Sequence, residues 1–276
     1  MRRLDLSAAV SVVTGAASGI GRATALALAA RGSALAVVDR DAGGLRRCAQ
    51  AGRALGAAVS EHALDVADAD AVAALPEAVV AAHGRATVLV NAAGVMLAGR
   101  FEEVSMDEVR WLMDVNVFGV IGLTKAFLPV LLAQPAAQVV NVSSLFGIVA
   151  PAGRTAYAAS KFAVRGFSES LGHELEGGPV GVTVVCPGGV KTAIWRTARV
   201  AAAGDADALR ERARQFERRF LKTRPEVVGE AIADAVERRR RRLLVGTNAR
   251  AGALLQRLLP VGYGRVLRRR LDRLDD

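Results

Sequence analysis

Tyr157 and Lys161 stand four residues apart in the run Tyr157-Ala158-Ala159-Ser160-Lys161. On a helix that spacing puts both side chains on one face. An ammonium beside a phenol favours the phenolate and lowers its pKa from about 10. Tyr157 then becomes an acid or base able to work near neutral pH. Only four lysines occur among 37 basic residues, and one of them is Lys161. Lysine suits the task as a compact point charge that also reaches sugar hydroxyls. Ser144 closes the run Asn141-Val142-Ser143-Ser144, thirteen residues before Tyr157. Its hydroxyl can hold a substrate oxygen for the tyrosine, or it can cap a turn. Taken alone, a Tyr and a Lys at helical spacing also fit two surface neighbours.

A second stretch, Thr14-Gly15-Ala16-Ala17-Ser18-Gly19-Ile20-Gly21, has the pattern of a phosphate turn. It follows the apolar run 9–13 and opens the alanine- and leucine-rich run 23–30. Strand, glycine turn and helix in that order aim the helix's free N–H groups and positive dipole end at one point. Gly15 permits the tight turn, Gly19 a close approach to a pyrophosphate, and Gly21 close helix–strand packing. An ordinary glycine-rich turn would look similar, but an acid lies at the expected distance. Asp39, eighteen residues past Gly21, closes the strand-like run 34–38. A carboxylate there accepts the hydroxyls of an adenosine ribose and repels a 2′-phosphate, which favours NAD over NADP. Arg40 and Arg46 weaken that preference, and Asp39 or Asp41 could instead cap the next helix.

Strand-like runs near 9–14, 34–39, 58–64, 88–91, 138–143, 181–186 and 242–245 alternate with helical patterns near 20–31, 41–55, 68–83, 105–133, 156–176 and 225–240. Short apolar strands separated by helices predict an α/β fold: a Rossmann-like, doubly wound parallel sheet of seven strands with helices on both faces, in a single domain. Ligands then sit at the carboxyl ends of the strands. Asp65-Val66 ends the third strand, and Asn91-Ala92-Ala93-Gly94 ends the fourth. The small residues of the latter let a cofactor lie against the backbone.

Together these motifs resemble the short-chain dehydrogenase/reductase family over residues 11–192. The T-G-x-x-x-G-x-G turn, the N-A-G segment, the Asn of Asp114-Val115-Asn116-Val117, the Ser and Y-x-x-x-K occur in the family's order and spacing. The resemblance implies Ser144, Tyr157, Lys161 and Asn116 as catalytic residues, with Asn116 supporting a water that leads protons from the lysine to solvent. It implies that Gly15, Ser18, Gly19, Ile20, Gly21, Asp39, Arg40, Asp65, Val66, Asn91, Ala92, Gly94, Tyr157 and Lys161 bind the cofactor. Pro187, Gly188, Val190 and Thr192 match the segment that closes over the nicotinamide. Ser18 stands where a basic residue often marks NADP enzymes, which again leans toward NAD. The implied reaction is reversible alcohol–carbonyl redox chemistry, carried out by a homodimer or homotetramer built through the helices near 105–133 and 156–176.

Residues near the cleft are apolar: Met96, Leu145, Phe146 and Pro151, with Trp195 in the expected lid at about 188–222. They point to a hydrophobic alcohol or ketone. Residues 1–246 read as the dinucleotide-binding and catalytic domain, and 247–276 as a basic amphipathic tail. The charge of +10 is uneven: residues 1–190 carry 15 basic against 16 acidic groups, and residues 191–276 carry 22 against 11. Leu254, Leu255, Leu258 and Leu259, then Leu267, Leu271 and Leu274, recur at helical spacing among arginines, with Pro260, Gly262 and Gly264 between the two sets. Two short amphipathic helices follow from that pattern. They read as an interfacial element on an anionic membrane or a guide for lipid-like substrates, with a partner subunit or a plain solvated face as competing readings. Nucleic acid is a poor fit, because the charge comes without a recognition motif. Two distant cysteines, Cys48 and Cys186, fit a reducing, cytoplasmic setting without a disulfide framework. His62, His83 and His173 have no metal-ligand spacing. A dinucleotide-binding regulator or scaffold remains the alternative function; such proteins usually lose the Tyr or the Lys, and this chain keeps both.

Overall fold

The computed structural model describes residues 3–195, 197–201 and 220–272. Its strands are β1 (Val10–Thr14), β2 (Ala34–Asp39), β3 (Val59–Ala63), β4 (Val88–Asn91), β5 (Leu97–Ala98), β6 (Ala137–Val142), β7 (Val180–Pro187), β8 (Arg199–Val200) and β9 (Arg242–Val245). The helices are α1 (Gly19–Ala29), α2 (Ala42–Ala54), α3 (Ala69–His83), α4 (Met106–Met113), α5 (Gly119–Leu132), α6 (Thr155–Glu174), α7 (Pro225–Glu237), α8 (Thr247–Leu258) and α9 (Tyr263–Asp272). Seven strands form one parallel sheet in the order β3-β2-β1-β4-β6-β7-β9. The chain winds outward from β1 in one direction to β3, then returns to β4 and winds the other way. The crevice between β1 and β4 is therefore the topological switch point, where open α/β sheets bind ligands.

Successive side chains on a strand point to opposite faces, and the core follows that rule. Val13, Val37 and Val90 pack under Leu28, Cys48 and Ile232 of α1, α2 and α7. Their neighbours Val12, Val38 and Leu89 pack under Val79, Leu123 and Phe127 of α3 and α5. A third cluster sits near the carboxyl ends, where Met96, Leu97, Leu112, Phe146, Ile148 and Val149 gather round Tyr157. Helix starts are local chemistry. Asp41 accepts from the Gly44 N–H at 3.0 Å, and Asp68 accepts from Asp70 and Ala71. Capping of α2 thus falls to Asp41 and leaves Asp39 for another role.

Two features depart from the expected pattern. The helix predicted over 105–133 is split by one π-helical turn, Asp114–Phe118, with Asn116 at its centre. Such insertions rotate the following residues and occur often at functional sites. The second is a small parallel pair, β5 with β8, held by Arg199 N–H to Met96 O at 3.0 Å and Ala201 N–H to Ala98 O at 2.8 Å. The Arg199 guanidinium lies 4.1 Å from the Trp111 ring centre and fastens this pair to α4. Among the described residues, Met106–Leu132 is long and apolar enough to span a bilayer. Half of it is buried inside the fold, with Leu112, Leu123, Phe127 and Leu131 in the core, so it is a core helix here.

Candidate active site

β1 ends at Thr14, and its hydroxyl accepts the N–H groups of both Ala92 and Ala93 at 3.1 Å. This joins the glycine turn to the segment after β4 across the switch crevice. Gly15 has φ +67°, and a Cβ on it would lie 2.8 Å from Ala93 N. A Cβ on Gly21 would lie 2.2 Å from the Gly15 carbonyl oxygen, so α1 rests directly on the turn. Gly19 faces Thr192, whose Cγ2 would be 3.2 Å from an added Cβ. Ser18 occupies the N-cap of α1 but its side chain makes no capping bond, and no acid stands in the first turn. The N-terminus of α1 therefore presents its N–H groups and positive end without a competing side chain. Ile20 is half-buried against the core.

Asp39 sits at the end of β2. Its two oxygens accept Ala17 N–H and Asp41 N–H, both at 3.0 Å. Those bonds fix the carboxylate beside the glycine turn and leave further lone pairs for hydroxyls. Arg40 is exposed and lies 3.6 Å from Asp65, a surface pair worth little energetically. Val66 is buried against Gly119. Asn91 is 1% exposed, and its amide donates to Thr124 and Asn141, tying β4 to β6. Its side chain is thus a clamp, and the small residues Ala92 and Gly94 carry the surface along which a ligand can lie. Pro187 ends β7, and Gly188 N–H bonds Val245 O at 2.9 Å. Val190 pairs with Thr223, which sets Thr192 over the turn. These positions form one cradle of glycine, helix N-terminus and carboxylate, which fits the diphosphate and ribose of a dinucleotide.

The side chains expected to carry the chemistry stand at the same edge. Tyr157 and Lys161 share a face of α6, with the Lys161 ammonium 5.8 Å from the phenol ring centre. Lys161 donates to Val142 O at 3.1 Å, and Ser143 Oγ donates to Lys161 O at 2.7 Å. Ser144 is a hydrogen-bond partner of the Tyr157 phenol. It also caps a 3-10 turn by accepting Phe146 N–H at 3.1 Å, so both readings of this serine hold. Asn116 Oδ1 accepts Val95 N–H at 2.8 Å, and its amide donates to Val95 O and to Ser160 Oγ. Ser160 in turn donates to Tyr157 O at 2.8 Å. A Cβ on Gly94 would lie 3.2 Å from Asn116 Oδ1 and 3.5 Å from Lys161 Nζ. The quartet Asn116, Ser144, Tyr157 and Lys161 therefore converges on the mouth of the cradle. Thr14, Ser143 and Ser160 position it, and each was present inside a recognised motif without being singled out.

The electrostatics differ from the simple expectation. Burial pushes the Tyr157 phenol up to about 12; the Ser144 hydrogen bond and the Arg154 charge offset only part of that. Burial also pushes the Lys161 ammonium down to about 8, from an ordinary 10.5. Desolvation of both groups outweighs the field of an ammonium several ångströms from the ring. One consequence is measurable. Between the folded value of about 8 and the unfolded 10.5, the unfolded chain binds more protons at Lys161 than the folded chain does. Stability contributed at this site should rise with pH across that window. Melting temperatures of the parent and of Lys161→Met, compared over the same range, should show the parent gaining on the variant. A pH-independent difference would contradict the buried ammonium.

The apolar side is also assembled. Phe146 meets the Tyr157 ring edge-on, with centroids 6.3 Å apart. Met96 is buried in the same cluster, Leu145 packs against it, and Pro151 is half-buried. The backbone of Trp195 ends a 3-10 turn, Ala193–Trp195; its side chain, and residues 202–219 of the expected lid, lie outside the described residues. One wall was not anticipated. Ala253, Tyr263 and Leu267 of α8 and α9 pack on the Tyr157 cluster, and Ala150 N–H donates to the Tyr263 hydroxyl at 3.2 Å.

Comparison with known proteins agrees with this geometry. The short chain dehydrogenase family model matches residues 9–202. SadH of Mycobacterium tuberculosis, which is named as an oxidoreductase, is 41% identical over 260 residues, covering 94% of this chain and 93% of its own. A short chain dehydrogenase/reductase from Burkholderia phymatum, solved in complex with NAD, superposes with a TM-score of 0.86 at 34% identity and covers 93% of this chain and 95% of that one. An alcohol dehydrogenase from the archaeon Thermococcus sibiricus, complexed with 5-hydroxy-NADP, has a TM-score of 0.74 at 26% identity, covering 86% of this chain and 95% of that one. With the glycine cradle, the sheet order and these relatives in agreement, the chain belongs to the short-chain dehydrogenase/reductase family of NAD(P)-dependent oxidoreductases.

Proposed function

We propose that this protein interconverts a hydrophobic secondary alcohol and its ketone, or a related alcohol and aldehyde, with NAD preferred to NADP. The observation that carries this reading is the convergence of Ser144, Tyr157 and Lys161 at the switch crevice, beneath the apolar cluster of Met96, Phe146, Ile148 and Val149. Ser144 holds the substrate oxygen. Tyr157 takes the hydroxyl proton in oxidation and returns it in reduction. Lys161 holds positive charge beside the phenol and would hold the ribose hydroxyls of a bound dinucleotide. Asn116, pinned to Val95 and Ser160, fixes the helical turn that carries both Tyr157 and Lys161. A bound nicotinamide would supply the chemistry of hydride acceptance and donation, and its oxidised form would favour ionisation of a phenol that burial alone keeps protonated. The shell round Tyr157 excludes water and strengthens each of these interactions.

NAD preference rests on Asp39 beside the turn and on Ser18 in place of a base. Asp39→Ser should lower kcat/KM with NAD by about 10- to 100-fold, as expected for lost charge-assisted hydrogen bonds, and raise the relative use of NADP. An unchanged cofactor ratio would remove the assignment. We read residues 1–246 as the dinucleotide-binding and catalytic domain, 247–276 as a basic amphipathic tail whose Ala253, Tyr263 and Leu267 wall the cleft, and the assembly as a homodimer or homotetramer. Exposed Phe118 and Phe162, on the faces of the central helices, support association there. A panel of hydrophobic alcohols and ketones, each assayed with NAD(H) and NADP(H) by absorbance of the reduced nicotinamide, tests the activity. Turnover of hydrophobic members with NAD(H) supports it; no turnover across the panel counts against it.

A further inference from the structure

The helices α8 and α9 have two differently occupied sides. The inner side is packed: Ala249 is buried, Ala253, Tyr263 and Leu267 join the Tyr157 cluster, and Gly252 admits Leu145, whose Cδ1 would lie 2.6 Å from an added Cβ. The outer side is bare among the described residues. Leu254 is 57% exposed, Leu258 67%, Leu259 45% and Val261 94%. At 3.6 residues per turn, Arg250, Leu254, Arg257 and Leu258 share one side of α8. Arg250, Arg257 and Arg265 are all exposed. Residues 247–276 contain seven arginines against three aspartates.

We propose that this outer face docks on an anionic lipid bilayer. Leu254, Leu258, Leu259 and Val261 enter the boundary between headgroups and acyl chains, while the arginines meet lipid phosphates. Apolar side chains flanked by arginines are complementary to such a surface on both counts. A two-fold contact with a second copy fits less well, because it would bring the same arginines against one another. Docking itself does not depend on the proposed activity. If that activity holds, the same helices place the wall of the substrate cleft at the lipid surface, where a membrane-dissolved alcohol or ketone would enter.

Co-sedimentation of the full chain with vesicles tests the docking. Mixed phosphatidylcholine–phosphatidylglycerol vesicles should pellet the protein, pure phosphatidylcholine should not, and added salt should release it. The double variant Leu258→Asp, Val261→Asp should bind at least about tenfold more weakly, given what each buried apolar side chain contributes. Its melting temperature and its mass by light scattering should match the parent. Should that variant fold poorly, Arg250→Gln, Arg257→Gln, Arg265→Gln provides the second readout and should lose the salt-sensitive part of binding. No pelleting with anionic vesicles, or undiminished binding by a folded variant, overturns the proposal. A change in assembly size would overturn it too, by assigning the face to a second copy.

Discussion

The Tyr157→Phe variant is expected to lose about 10²–10⁴-fold in kcat, the range for a single positioned acid–base group, while binding the dinucleotide as the parent does. The substitution removes one hydroxyl and keeps the ring. The edge-on contact with Phe146 and the burial of the side chain should survive. The lysine, the serine and the glycine cradle keep their own partners: Val142 O for Lys161, Phe146 N–H for Ser144, and Thr14 for Ala92 and Ala93. What disappears is the hydroxyl proposed to exchange a proton with the substrate oxygen. Steady-state kinetics on any substrate found in the panel, with cofactor affinity measured by titration calorimetry, separates the two effects. Substantial activity in the variant would show that the proton moves elsewhere.

Gly21→Ala should act at the other end of the site and through geometry alone. The added Cβ would meet Gly15 O at 2.2 Å, Gly15 C at 2.6 Å and Thr14 O at 2.8 Å. All three are backbone atoms of the phosphate turn, so no side chain can swing aside. Either α1 lifts from β1 or the turn opens, and both move the N–H groups proposed to hold the diphosphate. A loss of at least about 1–3 kcal/mol in stability is expected from overpacking, measured by urea unfolding. Dinucleotide affinity should fall at least about tenfold for each 1.4 kcal/mol lost at the phosphate site. Gly166→Ala is the control: it lies on α6 with nothing within 4 Å of the new Cβ, and should be neutral or slightly stabilising. Equal cofactor affinity in Gly21→Ala and the parent would mean that the turn does not hold the phosphates.

The sheet was legible because β1, β2, β4, β6 and β7 are short Val-rich runs buried almost throughout; the edge strand β3 is partly exposed and carries Ser60, Glu61 and His62. The proximity of Asn116, Ser144, Tyr157 and Lys161 was legible because each lies in a short local pattern. Elements that depend on distant contacts were not. β5 and β8 are two residues each, too short for any periodicity, and they exist because Arg199 finds Met96 and Trp111. The π-turn at Asp114–Phe118 leaves the apolar spacing of its helix almost intact, so nothing local announces it. Spacing placed Lys161 beside Tyr157 correctly but could not weigh the field of the ammonium against the burial of the phenol. In the tail, amphipathicity implied two faces without saying which one the cleft would take. The structure assigns Tyr263 and Leu267 to the cleft and leaves Leu254, Leu258 and Val261 outside.

Isotope transfer would follow the hydride itself. The protein would be incubated with a hydrophobic ketone and NADH dideuterated at the nicotinamide C4, and the product alcohol examined by mass spectrometry. The wild-type chain should place one deuterium on the carbinol carbon, and Tyr157→Phe should form at least about 100-fold less product in the same time. Product alcohol without deuterium, or equal product from both proteins, would contradict the proposed reaction.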